Sequence, residues 1–378
     1  MRSPVRFMLL LSLLSLTLAG CPRAANERSI LEAPPTTKPP GSQSEDPTGN
    51  HATPRPAELG LAYVEMPRNS WTVASPMSHE RGGLSAGVVE GELYAIGGDG
   101  ESSLEFYDPQ ADSWRVAPTP AWSDSASYHD ASSRSRYFGA SIVSDGRIYY
   151  IGGTYDTLTP FIDVYVPQRQ AWKDLTAPTL TNARYGRIGF AALTYNGAIF
   201  VIGGMMQAWG AASLASDDVC AFVPSTLYQY DETDLPQPRA GLGAAVLNHH
   251  LYVVGGYAKH AESGALQTFG GMLRYTPGEW TTTSLWGAPL ASLNVPRHSF
   301  GTAELDGRLY VAGGVDAQGR LLDSVEEYDP TYNAWILKAP MSAPRAHLAL
   351  VAFGDRLFAL GGYDPAGRQS RGVEVFRP

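Results

Sequence analysis

An all-β fold is what this sequence predicts: a six-bladed propeller, four antiparallel strands per blade, with an N-terminal strand completing the last blade. Three observations predict it. A Gly-Gly pair ends an apolar strand six times, at Gly97-Gly98, Gly152-Gly153, Gly203-Gly204, Gly255-Gly256, Gly313-Gly314 and Gly361-Gly362. Three positions before every pair stands Tyr or Phe, and after every pair an aromatic-x-Pro triplet ends a second β-rich run. Forty glycines and 28 prolines in 378 residues suit short strands and tight turns rather than helices.

The chain begins with an address. Arg2 and Arg6 precede an apolar run from Phe7 to Leu18 that ends in Leu18-Ala-Gly-Cys21. A charged start, about a dozen apolar residues and small residues at the cut describe a signal peptide over residues 1–20. Leu-Ala-Gly-Cys resembles the bacterial lipobox, which implies cleavage before Cys21 and acylation of that cysteine. A lipid-anchored protein of the bacterial cell envelope is the expectation, in the outer membrane because Pro22 rather than Asp follows the cysteine. Residues 21–60 are rich in Pro, Ser, Thr and Gly and bury too little apolar surface to order themselves, so they read as a disordered tether. The propeller occupies 61–378.

Within it, each repeat opens with a hairpin. Turns such as Asp145-Gly146, Asn196-Gly197 and Asp306-Gly307 supply the positive φ that a two-residue hairpin needs, so the two strands flanking each are the innermost pair, a and b. Strand c ends at Tyr107-Asp-Pro109, Tyr165-Val-Pro167, Phe222-Val-Pro224, Tyr275-Thr-Pro277, Tyr328-Asp-Pro330 and Phe376-Arg-Pro378, since proline cannot donate to a ladder. Strand d starts at Trp114, Trp172, Tyr228, Trp280 and Trp335. The sixth repeat stops before its own fourth strand. Ser70-Trp71-Thr-Val-Ala74, which reads like the segment at Ala334-Trp335, is expected to take that place beside Val373 to Phe376 and join the two ends.

Gly-Gly after an apolar strand, a Tyr-x-Pro-like turn and a Trp at a set distance resemble the kelch repeat, over residues 62–378. The resemblance implies a propeller used for binding, with glycines, aromatics and tryptophans holding blade against blade. Sixteen residues before every Gly-Gly stands an arginine: Arg81, Arg136, Arg187, Arg239, Arg297 and Arg345. Each is placed at the opening of strand a, so all six are expected around one mouth of the channel. Two readings stay open. They hydrogen-bond neighbouring carbonyls or acidic turns, or, as the resemblance to kelch domains that grip acidic peptides implies, they bind a ligand; six like charges need partners either way.

Long connections on that face add candidates: Trp122–Ser135; Met205–Asp217, with Trp209; and Tyr257–Gly271, with Tyr257. Variable loops on a rigid scaffold carry specificity. The expected partner is an envelope or extracellular protein or glycan, anionic in character. A formal charge of −9 argues against nucleic acid. No catalytic residues, metal ligands or cofactor are assigned, because the sequence has no nucleophile elbow, zinc-binding pattern or phosphate loop. Carboxylates after the Gly-Gly pairs (Asp99, Glu101, Asp156, Asp316, Asp364) read as loop residues, and Cys220 as a buried apolar thiol. The alternative to a binding module is a carbohydrate-active enzyme, an epimerase resembling the six-bladed kelch sialic-acid mutarotases.

Overall fold

The computed structural model describes residues 66–117, 137–153, 162–174, 186–206, 214–259, 264–276, 279–283 and 289–378. Among them the only helix is a single 3-10 turn, Pro167–Arg169, and everything regular is strand. Cys21, the signal peptide and the tether lie outside these residues, as do Arg136, Asp156, Trp209 and the connection Trp122–Ser135.

Six antiparallel four-stranded sheets follow one another in the described residues. The first holds Ser85–Val89, Glu92–Ile96, Leu104–Asp108 and Ser113–Val116, in that order. The next four are built alike, with inner strands Ala140–Ser144, Ala191–Tyr195, Gly243–Leu247 and Gly301–Leu305. The last joins Ala349–Phe353, Arg356–Leu360 and Val373–Arg377 to Ser70–Ala74 from the other end of the domain. There Trp71 faces Phe376 and Ala74 faces Val373 in register. The Trp71 ring lies 5.0 Å from that of Phe376, and its Nε1 donates to Ala339 O at 2.8 Å. Trp114 and Trp335 make the equivalent bond to Ser75 O and Ala291 O. The recurrent tryptophan thus ties an outer strand to the connection leading into an inner one.

The apolar core is divided between the sheets. One cluster joins the first and second sheets (Tyr94, Phe106, Ile148, Tyr165), and others join each following pair. A further cluster packs Leu93 and Tyr107 of the first sheet against Phe353 and Phe358 of the last. Each sheet hides both faces, which is why the second strands read as unbroken apolar runs.

The arginines stand four residues before the inner strands rather than opening them. The reason lies two residues after each arginine, where Gly83, Phe138, Gly189, Gly241, Ser299 and His347 all take positive φ, between 54° and 68°. Left-handed backbone cannot continue a strand. Instead these six residues bond to one another: Phe138 N–H donates to Gly83 O, Gly189 to Phe138, Gly241 to Gly189, Ser299 to Gly241, His347 to Ser299 and Gly83 to His347, at 2.6–3.1 Å. The six bonds form a closed cycle.

Candidate functional site

The arginine column is internal. The five described arginines, Arg81, Arg187, Arg239, Arg297 and Arg345, are at most 6% exposed. Each donates Nη1 to the carbonyl of the first glycine of its own pair, sixteen residues on: Gly97, Gly203, Gly255, Gly313 and Gly361, at 2.7–3.3 Å. In four of them Nη2 meets a carboxylate: Arg81 with Glu105 and Arg297 with Glu326, both at 2.7 Å, Arg187 with Asp218, and Arg345 with Glu374. Three of the carboxylates also accept backbone N–H groups from the connection before the arginine: Ser78 to Glu105, Asn294 to Glu326 and Ser342 to Glu374. Burial pushes the Glu105 carboxyl up, but Arg81 and the Ser78 N–H outweigh it and hold the group below its ordinary value.

The expected cationic ring around the mouth is therefore corrected for these five. A guanidinium taken out of water needs a partner, and for Arg81, Arg187, Arg297 and Arg345 the repeat supplies a carboxylate within the same sheet. The first of the two open readings is what the geometry favours, with one change. The acidic partner sits on the third strand, or in Asp218 one residue before it, not in a c–d turn.

The described carboxylates after the Gly-Gly pairs are likewise engaged. Asp316 accepts the N–H groups of Gln318 and Arg320 at 2.9 Å and the Arg320 Nε at 2.7 Å. Asp364 does the same with Ala366 and Arg368. They shape their loops. Cys220 is buried among apolar residues of the second and third sheets. Among the described residues no group of three or more His, Cys, Asp or Glu side chains could hold a metal ion.

The cycle of backbone bonds forms the floor of the Gly-Gly face, and its side chains are unequal: three glycines, then Phe138, Ser299 and His347. Phe138 lies 4.7 Å from the His347 ring, and Tyr363, following Gly362, stands 6.0 Å from His347 and donates its hydroxyl to Asp99 Oδ2 at 3.2 Å. Opposite, Tyr257 follows Gly256, packs 4.6 Å from His298 and donates to Met205 Sδ at 3.0 Å. All five rings are partly buried.

Burial pushes His298 down to about 4, outweighing the pull of Asp316. Burial does the same for His347, helped by the neighbouring His298. Both imidazoles are neutral at pH 7, so each offers one donor and one acceptor. Burial raises the Tyr257 and Tyr363 hydroxyls.

Tyr257 is thus the described candidate that reaches this mouth. His298, His347, Phe138 and Tyr363 were not singled out from the sequence. Their signal was positional: one or two residues past the arginine, or directly after Gly-Gly, at places where the six repeats disagree.

Beside the floor, two loops rise as ribbons. Met205–Met206 pairs with Leu214–Ala215 and with Arg187–Ile188, and Tyr257–Lys259 pairs with Leu266–Thr268. Leu214 is 58% exposed and Leu266 48%, so both ribbons present apolar side chains to solvent.

Comparison with known proteins agrees with this architecture. The Kelch motif matches residues 80–121 and 296–342. Kelch repeat and BTB domain-containing protein 1 of vaccinia virus (strain Copenhagen) is 25% identical over 294 residues, 74% of this chain and 46% of the viral protein. Kelch-like protein 40 of Xenopus laevis is 28% identical over 200 residues, 50% of this chain and 29% of its own. The chain spans less than half the length of these curated relatives. The solved structure of YjhT superposes with a TM-score of 0.64 at 15% identity, covering 79% of this chain and 95% of that one. The chain carries kelch motifs at residues 80–121 and 296–342 and has a β-propeller-like fold.

Proposed function

We propose that the chain is a binding module that holds a protein or glycan on the Gly-Gly face of a closed, six-bladed propeller, residues 61–378. Six sheets, the Trp71 strand beside Val373–Arg377, apolar contact between the last sheet and the first, and a complete cycle of backbone bonds support that count and closure.

The observation that carries the functional reading is asymmetry. In a repeat protein the residues that hold the fold recur from unit to unit, as the arginine does in all six and the tryptophan in five. The floor breaks that rule, with Phe138, Ser299 and His347 replacing three glycines beneath Tyr257, His298 and Tyr363. Aromatic rings with a polar edge and neutral imidazoles, fixed by a rigid scaffold, suit an apolar or aromatic peptide side chain or a sugar face. An epimerase using the arginine column on an acidic sugar has less support, because four of the five described guanidinium groups are already paired with carboxylates of their own sheets.

The module is proposed to stand on a lipid-anchored Cys21 and a tether of residues 21–60, in the bacterial envelope. Mass spectrometry of the mature N-terminus tests the anchor: an acylated Cys21 supports it, and an unmodified residue at any other position removes it. For binding, the full-length chain is used to capture partners from envelope extract beside Tyr257→Ala and Tyr363→Ala variants of unchanged thermal midpoint. A partner lost with either variant supports this face. One retained equally by both moves the site elsewhere.

A further inference from the structure

Cross-strand register reveals a column the repeats share. Opposite the residue two before each Gly-Gly lies Glu105, Asp163, Cys220, Leu273, Glu326 or Glu374. Glu105, Glu326 and Glu374 are the carboxylates that pair with the arginines of their own sheets; in the third sheet, where the place is Cys220, Asp218 stands in. The fourth sheet has Leu273 there, and among the described residues no carboxylate stands in for it.

Arg239 is consequently the exception among the five described arginines of the repeated column. It is 5% exposed, and its hydrogen bonds go from Nη1 to Gly255 O and Gly271 O, both at 3.2 Å. Nε is buried without a partner, and no carboxylate pairs with the group among the described residues. Phe269 lies under the guanidinium at 4.6 Å.

A second substitution accompanies the first. The backbone N–H three residues before the arginine, which the carboxylate accepts at Ser78, Asn294 and Ser342, belongs in this repeat to Pro236 and does not exist. Both halves of the internal arrangement are thus removed together. Pro236, Gln237 and Pro238, which replace it, are exposed. Thr268, next to Phe269, also keeps a buried hydroxyl without a partner. Burial alone, with no carboxylate to offset it, pushes Arg239 down to about 10.

We propose that Arg239 is a receptor for one carboxylate, supplied from outside the chain in the role that Glu105, Glu326 and Glu374 fill in their repeats. Its planar fork suits a carboxylate, and the Phe269 face holds it in place. The bearer is an acidic side chain of a bound partner or a free small monocarboxylate. The inference deepens the reading of this protein as a binding module and rests on it only for the identity of that bearer.

The test titrates the full-length chain with 13C-formate at constant ionic strength and follows the bound fraction by NMR relaxation, with formamide as the uncharged control. Saturable one-to-one binding of formate alone is expected, weakened at least tenfold by Arg239→Met and by Leu273→Glu, which restores the repeat's own carboxylate. Leu273→Glu is expected to keep the wild-type thermal midpoint or raise it, so loss of binding there is not loss of fold. No saturable binding to wild type, or equal binding by Leu273→Glu, overturns the proposal. Acetyl-aspartate N-methylamide separates the bearers: tighter binding than formate points to a partner's side chain, and weaker binding to a free monocarboxylate. Should formate binding fail while the Tyr257 and Tyr363 variants still lose their partner, only the carboxylate inference falls.

Discussion

Replacing Glu326 by leucine reproduces in the fifth repeat what the fourth already has, and the surroundings set the cost. Glu326 and Arg297 are both fully buried. The carboxylate accepts Arg297 Nη2 at 2.7 Å, the Asn294 N–H at 2.7 Å, the Asn294 Nδ2 at 2.9 Å and the Val295 N–H at 3.1 Å. Removing one partner of a buried pair costs about 3–5 kcal/mol, because the other charge stays behind. Arg297 keeps Gly313 O and Ser324 O, and the leucine recovers about 1 kcal/mol of apolar burial, so roughly 3 kcal/mol is expected for Glu326→Leu.

Adding Arg297→Met removes the stranded charge. The double variant should then lose only about 1–2 kcal/mol, the cost of two backbone donors without an acceptor. Urea unfolding of the four proteins of the cycle measures both numbers. A single-variant loss under about 1 kcal/mol, or strict additivity, would refute the claim that the pair is what keeps Arg297 inside.

Three further outcomes are expected. An unfolded histidine takes up its proton near 6.5, whereas His298 and His347 do so only near 4, so stability should be flat above pH 6.5 and fall as the pH drops from 6.5 to 4. Each imidazole accounts for roughly 3 kcal/mol at most; urea midpoints at pH 7.5 and 4.5 check this, and His298→Gln with His347→Gln should flatten the dependence. Trp71→Ala loses the bond to Ala339 O and the packing on Phe376 and should cost about 2 kcal/mol in thermal unfolding, while deleting residues 1–75 bares the edge of Val373–Arg377 and should produce aggregation on sizing columns. Gly241 has φ +60°, and a Cβ there would meet Ser299 N at 3.1 Å, whereas Gly197 (φ +75°) has nothing within 4 Å. Gly241→Ala should therefore cost more than Gly197→Ala, which loses only about 1 kcal/mol of backbone preference, as denaturant midpoints can show.

The repeated architecture was legible because six copies amplify every local rule. Gly-Gly, the aromatic three residues earlier and Trp at a set distance are short-range patterns, and even the Trp71 strand could be matched by its likeness to Ala334–Lys338. The fate of the arginines was not legible from the same columns. Their partners stand on a different strand, and only the pairing of Ala95 with Glu105, or Val311 with Glu326, brings guanidinium and carboxylate together. A trace was present all the same: two residues before each aromatic of the aromatic-x-Pro triplet come Glu105, Asp163, Cys220, Leu273, Glu326 and Glu374, mostly acidic. Read beside the arginines, that column announces a charge balance within each repeat.

The floor was hidden for the opposite reason. A search for identity between repeats discards His347, Phe138 and Ser299, since each occupies a position where its counterparts are glycine or something else. Recurrence marks what every unit needs in order to stack, and so selects against the residues that make one propeller differ from another. By that logic Leu273 and Pro236 are more informative about this chain than the four intact ion pairs. A repeat that has lost both its carboxylate and the N–H that carboxylate would accept, yet keeps Arg239 buried, retains a cation that no described carboxylate of its own fold neutralises.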